Sequence, residues 1–161
     1  MKYCFLLLFS MLSLCGYTQT SIVYLTPEQL VENIKNNTSR ATVIQFWIPN
    51  CAAAEKIVTH YNELENEYSA ELDFYFIGIT NKETLVSTLI EKTGFKHKIY
   101  IADPAVNEDI TIRRETFAAR VCQLLNLKKN DFLTMYLDKK GKIIYYGDSI
   151  DVEKDKLKKV I

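Results

Sequence analysis

Cys51 is the residue best placed to do chemistry. It stands in Phe46-Trp47-Ile48-Pro49-Asn50-Cys51-Ala52-Ala53-Ala54-Glu55, where a nearly unbroken apolar run, Ala41 to Ile48, meets a segment of helical periodicity. The run reads as a strand buried on both faces. Pro49-Asn50 breaks it, and Ile57, Tyr61, Leu64 and Tyr68 then recur at spacings of four, three and four. The predicted helix runs from about Cys51 to Tyr68. A cysteine in a helix's first turn lies among backbone N–H groups with no intrahelical partner, at the positive end of the helix dipole. Both features stabilise a thiolate. The chemistry this suggests is attack on a sulfur to form a mixed disulfide. The competing reading is an inert thiol packed under its loop.

Other reactive side chains are few. Cys122 falls in the apolar stripe of a predicted helix, Ile112 to Leu125, beside Phe117, Ala118, Val121 and Leu124. It reads as a small core residue. A disulfide with Cys51 is the sharper alternative, and it would need the two Cα atoms within roughly 7 Å. His60 and His97 are far apart, with no cysteine or carboxylate at ligand spacing, so no metal site is predicted. Nothing in the chain calls for a cofactor.

These residues must be held by a scaffold, and its elements are legible. Ser21 to Leu25 is a short strand. Thr26-Pro27-Glu28-Gln29 has the form of a capping box with proline at the first helical position, and Leu30, Val31 and Ile34 give the helix an apolar face. Leu72 to Thr80 is a second buried strand, and Lys82 to Lys92 a helix stopped by Thr93-Gly94. Lys98 to Ala102 is an additional strand closed by Asp103-Pro104. Leu133 to Asp138 and Lys142 to Tyr146 form a hairpin around Lys139-Lys140-Gly141, and Asp151 to Ile161 a lysine-rich terminal helix. Strands alternating with helices imply an α/β fold, a mixed sheet covered by helices on both faces. There is no internal repeat, linker or second domain in this reading.

The first twenty residues serve another purpose. Lys2 precedes an uninterrupted apolar or small run, Cys4 to Leu14, too short for a permanent membrane span, and Gly16, Thr18 and Thr20 follow. Residues 1–20 are therefore expected to be a secretory signal, and residues 21–161 the folded domain. Leu12-Ser13-Leu14-Cys15 resembles a bacterial lipoprotein box, though Leu14 is large where a small residue is expected. Lipidation at Cys15 would tie the domain to a membrane. Either route leads to the periplasm, the envelope or the medium. Removing the segment leaves 19 basic against 20 acidic residues, and two cysteines, Cys51 and Cys122. The balanced charge argues against a nucleic-acid partner, which would need a basic face. Lys154, Lys156, Lys158 and Lys159 read as a solvated helix face, with anionic membrane contact as the weaker alternative.

The element order and the segment around Cys51 together resemble the thioredoxin-like superfamily. Its members have a strand ending in Phe-Trp, three residues of loop, and a Cys-x-x-Cys that opens a helix; here Phe46, Trp47 and Cys51 match. Leu137-Asp138-Lys139-Lys140-Gly141-Lys142-Ile143 and the stretch Lys96 to Pro104 are similar to the extracytoplasmic, TlpA/ResA-like branch. The resemblance covers essentially all of 21–161.

Three departures qualify what it implies. Ala54 stands where the second cysteine belongs. The cis-proline that faces the active cysteine would fall at Phe132, and Pro27, Pro49 and Pro104 are all placed elsewhere. Many members carry a buried aspartate six residues before the first cysteine, where this chain has Gln45, an amide that cannot take up a proton. Without a resolving thiol one helical turn away, dithiol reductase turnover is not expected. The resemblance then implies a module that binds client protein thiols or peptide segments, with Trp47 and Phe132 as candidate groove residues. The alternative is a monothiol oxidoreductase with Cys51 as catalytic nucleophile. Phe132 has a second reading, as filler of the space a proline leaves. A third role, folding or envelope assembly through the groove alone, would not need Cys51.

Overall fold

The computed structural model describes residues 21–37 and 39–161. The expectations for residues 1–20, the secretory signal and the lipid attachment at Cys15, lie outside the described residues. No helix among the described residues is long and apolar enough to cross a membrane.

The sheet is built around the apolar run that ends beside Cys51. This strand, β2 (Ala41–Trp47), is buried at every position. It is preceded by β1 (Ile22–Leu25) and α1 (Pro27–Asn36), and followed by α2 (Ala54–Tyr68), β3 (Leu72–Gly78), α3 (Glu83–Thr93) and β4 (Ile99–Ala102). After a 3₁₀ turn at Pro104–Val106 come α4 (Ile110–Leu124), β5 (Thr134–Leu137), β6 (Ile143–Gly147) and α5 (Lys154–Leu157). The strand order is β1-β4-β3-β2-β5-β6. The first four run parallel, β5 is antiparallel to β2, and β6 is antiparallel to β5. This is the mixed α/β sheet the alternation of elements predicts.

Because side chains alternate along a strand, β2 feeds two cores. Val43 and Trp47 point to the face covered by α2 and α3, where they join Val58, Tyr61, Leu64 and Phe76. Ile44 and Phe46 point to the face covered by α1 and α4, among Leu30, Phe117, Val121 and Phe132. Local signals set the helix ends. Thr26 Oγ1 accepts from Gln29 N–H while Gln29 Oε1 accepts from Thr26 N–H, the reciprocal cap predicted for α1. Gly94, at φ 64°, ends α3 in the left-handed conformation that a side chain would disfavour.

Two predicted helices are shorter than expected. The terminal one spans only Lys154–Leu157. Upstream, Val152 is buried in the core and Glu153 N–H donates to the Tyr136 hydroxyl at 2.9 Å, so the helix begins only after Glu153. Lys154 pairs with Glu67, and Lys156 pairs with Glu153 while lying 3.5 Å above the Tyr145 ring. The other correction concerns Cys51. The α-helix starts at Ala54 with Ala53 as N-cap, not at Cys51.

Candidate functional site

Strand β2 delivers its last residue, Trp47, to the end of the sheet, and Pro49 and Asn50 then turn the chain. Cys51 sits in that turn. Its N–H donates to the Ile48 carbonyl at 3.2 Å, and its own carbonyl accepts from Ala54 N–H at 3.1 Å. Cys51 therefore lies two residues ahead of the N-cap, outside the first helical turn.

The thiol is free and partly exposed, packed against the core under α2 and α3. Trp47 walls the site from below. Its ring meets Tyr61 edge to face, with centroids 6.0 Å apart at 84°, and Tyr61 stacks on Phe76 at 3.7 Å. Gly78, on the neighbouring strand, makes room for this wall. A Cβ there would lie 3.2 Å from Pro49 Cγ and 3.4 Å from the indole. The indole Nε1 is buried without a hydrogen-bond partner among the described residues. Burial pushes the Tyr61 hydroxyl well above its ordinary range, and the charges of Asp151 and of a Cys51 thiolate add to the shift.

Beside Cys51 opens an apolar hollow of about 230 Å³, lined by Trp47, Ile48, Ile57, Ile79, Leu133 and Ile150, with Phe46 and Arg114 completing it. Ile150 is 74% exposed, an unusual position for a large aliphatic side chain. A second hollow of about 470 Å³, formed by Lys56, His60 and Tyr61, shares Ile57 and Ile150 with the first. The two make one trough along the start of α2. Arg114 gives the trough a polar end. It pairs with Asp131 at 2.6 Å and donates to the Phe132 carbonyl at 3.2 Å, so its cation is already matched.

Of the two groove residues named from the sequence, Trp47 borders the trough and the Phe132 side chain does not. Phe132 is 0% exposed. Its ring packs against Phe46 on the face of α1 and α4, and its neighbour Leu133 lines the hollow instead. The reading of Phe132 as an exposed contact is thus corrected, and its ring belongs to the core. None of the peptide bonds among the described residues is cis. Leu133, Ile150, Ile79 and Arg114 were not anticipated. The one local hint was Ile150, an isoleucine amid Gly147, Asp148, Ser149 and Asp151.

Gln45 is fully buried beneath the site. Its Nε2 donates to the Phe46 carbonyl at 3.0 Å, and the hydroxyl of its cross-strand partner Thr134 lies against its Oε1. An amide satisfied on both atoms fixes this corner and offers no proton relay. Ala54, three residues beyond Cys51, opens α2 and is buried in the core. Cys122 is buried in the core on the opposite face of the sheet. Both cysteines are free, and the sheet stands between them.

No protein-family model matches this sequence, and no curated protein sequence is detectably similar to it. Solved structures are similar in fold. The solution structure of a thioredoxin-like protein in the oxidised form aligns at a TM-score of 0.50 and 16% identity, covering 84% of this chain and 81% of that one. A thiol:disulfide interchange protein of the thioredoxin family from Chlorobium tepidum also aligns at 0.50, with 11% identity, covering 73% of this chain and 74% of that one. At such identities the likeness concerns the fold. The chain has a thioredoxin-like α/β architecture.

Proposed function

We infer that this chain is an extracytoplasmic thioredoxin-like module that binds client protein thiols or peptide segments at the trough beside Cys51, without dithiol reductase turnover. The observation that carries the reading is a partly exposed thiol at the rim of an apolar hollow, with the methyl of Ala54 where the helix would offer a second sulfur. The Cys51 thiolate can attack a client disulfide, forming a Cys51–client bond and releasing the client's other sulfur as a thiolate. Among the described residues none supplies a thiolate to break that bond again, because no second thiol lies one turn on and Cys122 is across the sheet. The trough supplies the non-covalent part, with roughly 25 cal/mol for each Å² of apolar surface a peptide covers. The extracytoplasmic assignment rests on the signal-like residues 1–20.

A dithiothreitol-driven insulin reduction assay tests the absence of turnover, with no acceleration over the uncatalysed reaction expected. Trapping on a disulfide-containing peptide tests the binding. A mixed disulfide should accumulate with the parent chain and not with Cys51→Ser. Strong acceleration of insulin reduction would end the reading.

The second reading, a monothiol oxidoreductase with Cys51 as nucleophile, draws on the same accessible sulfur. It predicts multiple turnovers of a glutathione mixed disulfide when excess glutathione is supplied. The binding reading predicts a single stoichiometric event.

A further inference from the structure

The sheet ends on β6. It pairs with β5 on one side, and among the described residues no strand lies on the other. Apart from bonds to β5 and the residues flanking it, no backbone hydrogen bond reaches β6. Its outer N–H and C=O groups form a free edge, onto which another strand can pair. The register shifts between Tyr136 and Leu137, so Ile144 is a bulged residue facing no residue of β5, and it is 41% exposed.

Charges give this edge a polarity. Lys139, Lys140 and Lys142 lie on the turn side of Tyr145, Asp148 and Asp151 on the exit side, and all five are exposed. Among the described residues Asp148 alone of the five is in an ion pair, a surface one with Lys129 at 3.2 Å. Asp138, in the same turn, is engaged by the N–H groups of Lys140 and Lys142. Lys156, above the Tyr145 ring, is answered by Glu153. The spacing is symmetric about Tyr145: Lys142 and Asp148 lie three residues to either side, Lys139 and Asp151 six. The strand at the other edge of the sheet, β1, carries no charged residue.

We propose that β6 is a self-association edge, pairing antiparallel with β6 of a second copy of this chain about a two-fold axis at Tyr145. That register sets Lys142 of each copy opposite Asp148 of the other and turns Lys139 toward Asp151, so every contact occurs twice. Ile144 of each copy meets Tyr146 of the other, an aliphatic–aromatic cross-strand pair that covers the exposed side chain. A parallel pairing would set like charges side by side, which is unfavourable. Lysines and a bulge at a sheet edge ordinarily discourage pairing. Here the lysines stand at one end only, and the antiparallel register answers Lys142 and Lys139 with aspartates. The bulge keeps the paired stretch short, and both copies spend the same edge, so the assembly closes as a weak dimer. The interface does not involve Cys51 and stands whether or not the reading of that residue holds.

Sedimentation equilibrium of the purified full chain, from about 1 μM to 1 mM and with dithiothreitol present to exclude disulfide-linked species, tests the proposal. A reversible monomer–dimer equilibrium is expected, with concentration-dependent ¹⁵N amide shifts confined to Lys142–Asp148 and its neighbours. Asp148→Lys and Lys142→Asp should each weaken the dimer at least about tenfold, because each places two like-charged contacts in the interface. Both positions are exposed, and an unchanged urea midpoint shows that the fold is kept. The charge-swapped double variant, Lys142→Asp with Asp148→Lys, should return the dimer to within about threefold of the parent. Monomers throughout the range, a dimer indifferent to both single changes, or a double variant no better than the singles overturns the proposal.

Discussion

The ring of Phe132 lies 5.4 Å from that of Phe46, tilted by 49°, directly beneath the trough that Cys51 borders. Phe46 also meets Phe117 edge to face at 5.5 Å. The position where the superfamily resemblance would put a proline thus holds an aromatic ring packed on Phe46 of β2, which in turn meets Phe117 of α4. Removing the ring should act on stability. Phe132→Ala is expected to cost about 3–5 kcal/mol, read as a lowered urea midpoint. A cost below about 1 kcal/mol would mean that the ring is not packed as described.

Restoring the second sulfur tests whether the turn at Cys51 still has the geometry of a dithiol site. Ala54→Cys places a thiol at the first residue of α2, three residues after Cys51. On mild oxidation Cys51 and the new thiol should join, so that thiol titration loses two groups per chain, and insulin reduction should appear. If both thiols still titrate after oxidation, the turn does not bring the two positions within bonding distance.

Cys51 and Cys122 should differ sharply in reactivity. Cys51 is partly exposed, while Cys122 is buried in the core and its thiol is pushed up by burial, with Asp131 adding. Under native conditions iodoacetamide should modify Cys51 at least about 100-fold faster than Cys122, because Cys122 must wait for an opening of the core that costs several kcal/mol. Peptide mapping by mass spectrometry reads the ratio. Equal rates would contradict the placement of Cys122.

Stability should decline toward alkaline pH through Glu65. Its carboxyl titrates at about 7 in the folded chain against 4.5 ordinarily, so folding takes up a proton between those values. The contribution is full below about pH 4.5 and is lost as pH rises through 7. At pH 8 the ionised, buried carboxylate costs roughly 3 kcal/mol. His97 acts in the opposite sense. Its folded value lies below the ordinary 6.5, and its contribution is lost as pH falls beneath that range. Glu65→Gln should therefore be more stable than the parent at pH 8 by about 2–3 kcal/mol and close to it at pH 4.5. Urea midpoints at the two pH values measure this, and an equal difference at both would sink it.

Apart from the start of α2 and the length of α5, the elements were legible along the chain, because their causes are local. The nearly all-apolar run Ala41 to Trp47 reads as a strand covered on both faces. The cap at Thr26, the stop at Gly94 and the hairpin turn at Gly141 each act through their own backbone. The sequence also placed Cys51 at the end of that strand and Ala54 three residues on. What touches Cys51 was decided by the tertiary structure. Leu133 and Ile150 come from segments more than eighty residues downstream in the sequence, brought there by β5 pairing antiparallel to β2. Whether Phe132 faced the trough or the core depended on which side of that pairing its ring could pack. β4 first pairs with β3 at Ile77, leaving the start of β3 without a strand on that side, a matter of register between strands. Chain-local preferences fix how a segment folds. Contacts between segments distant in sequence depend on how whole layers pack, and there the residue types at any one position carry little of the information.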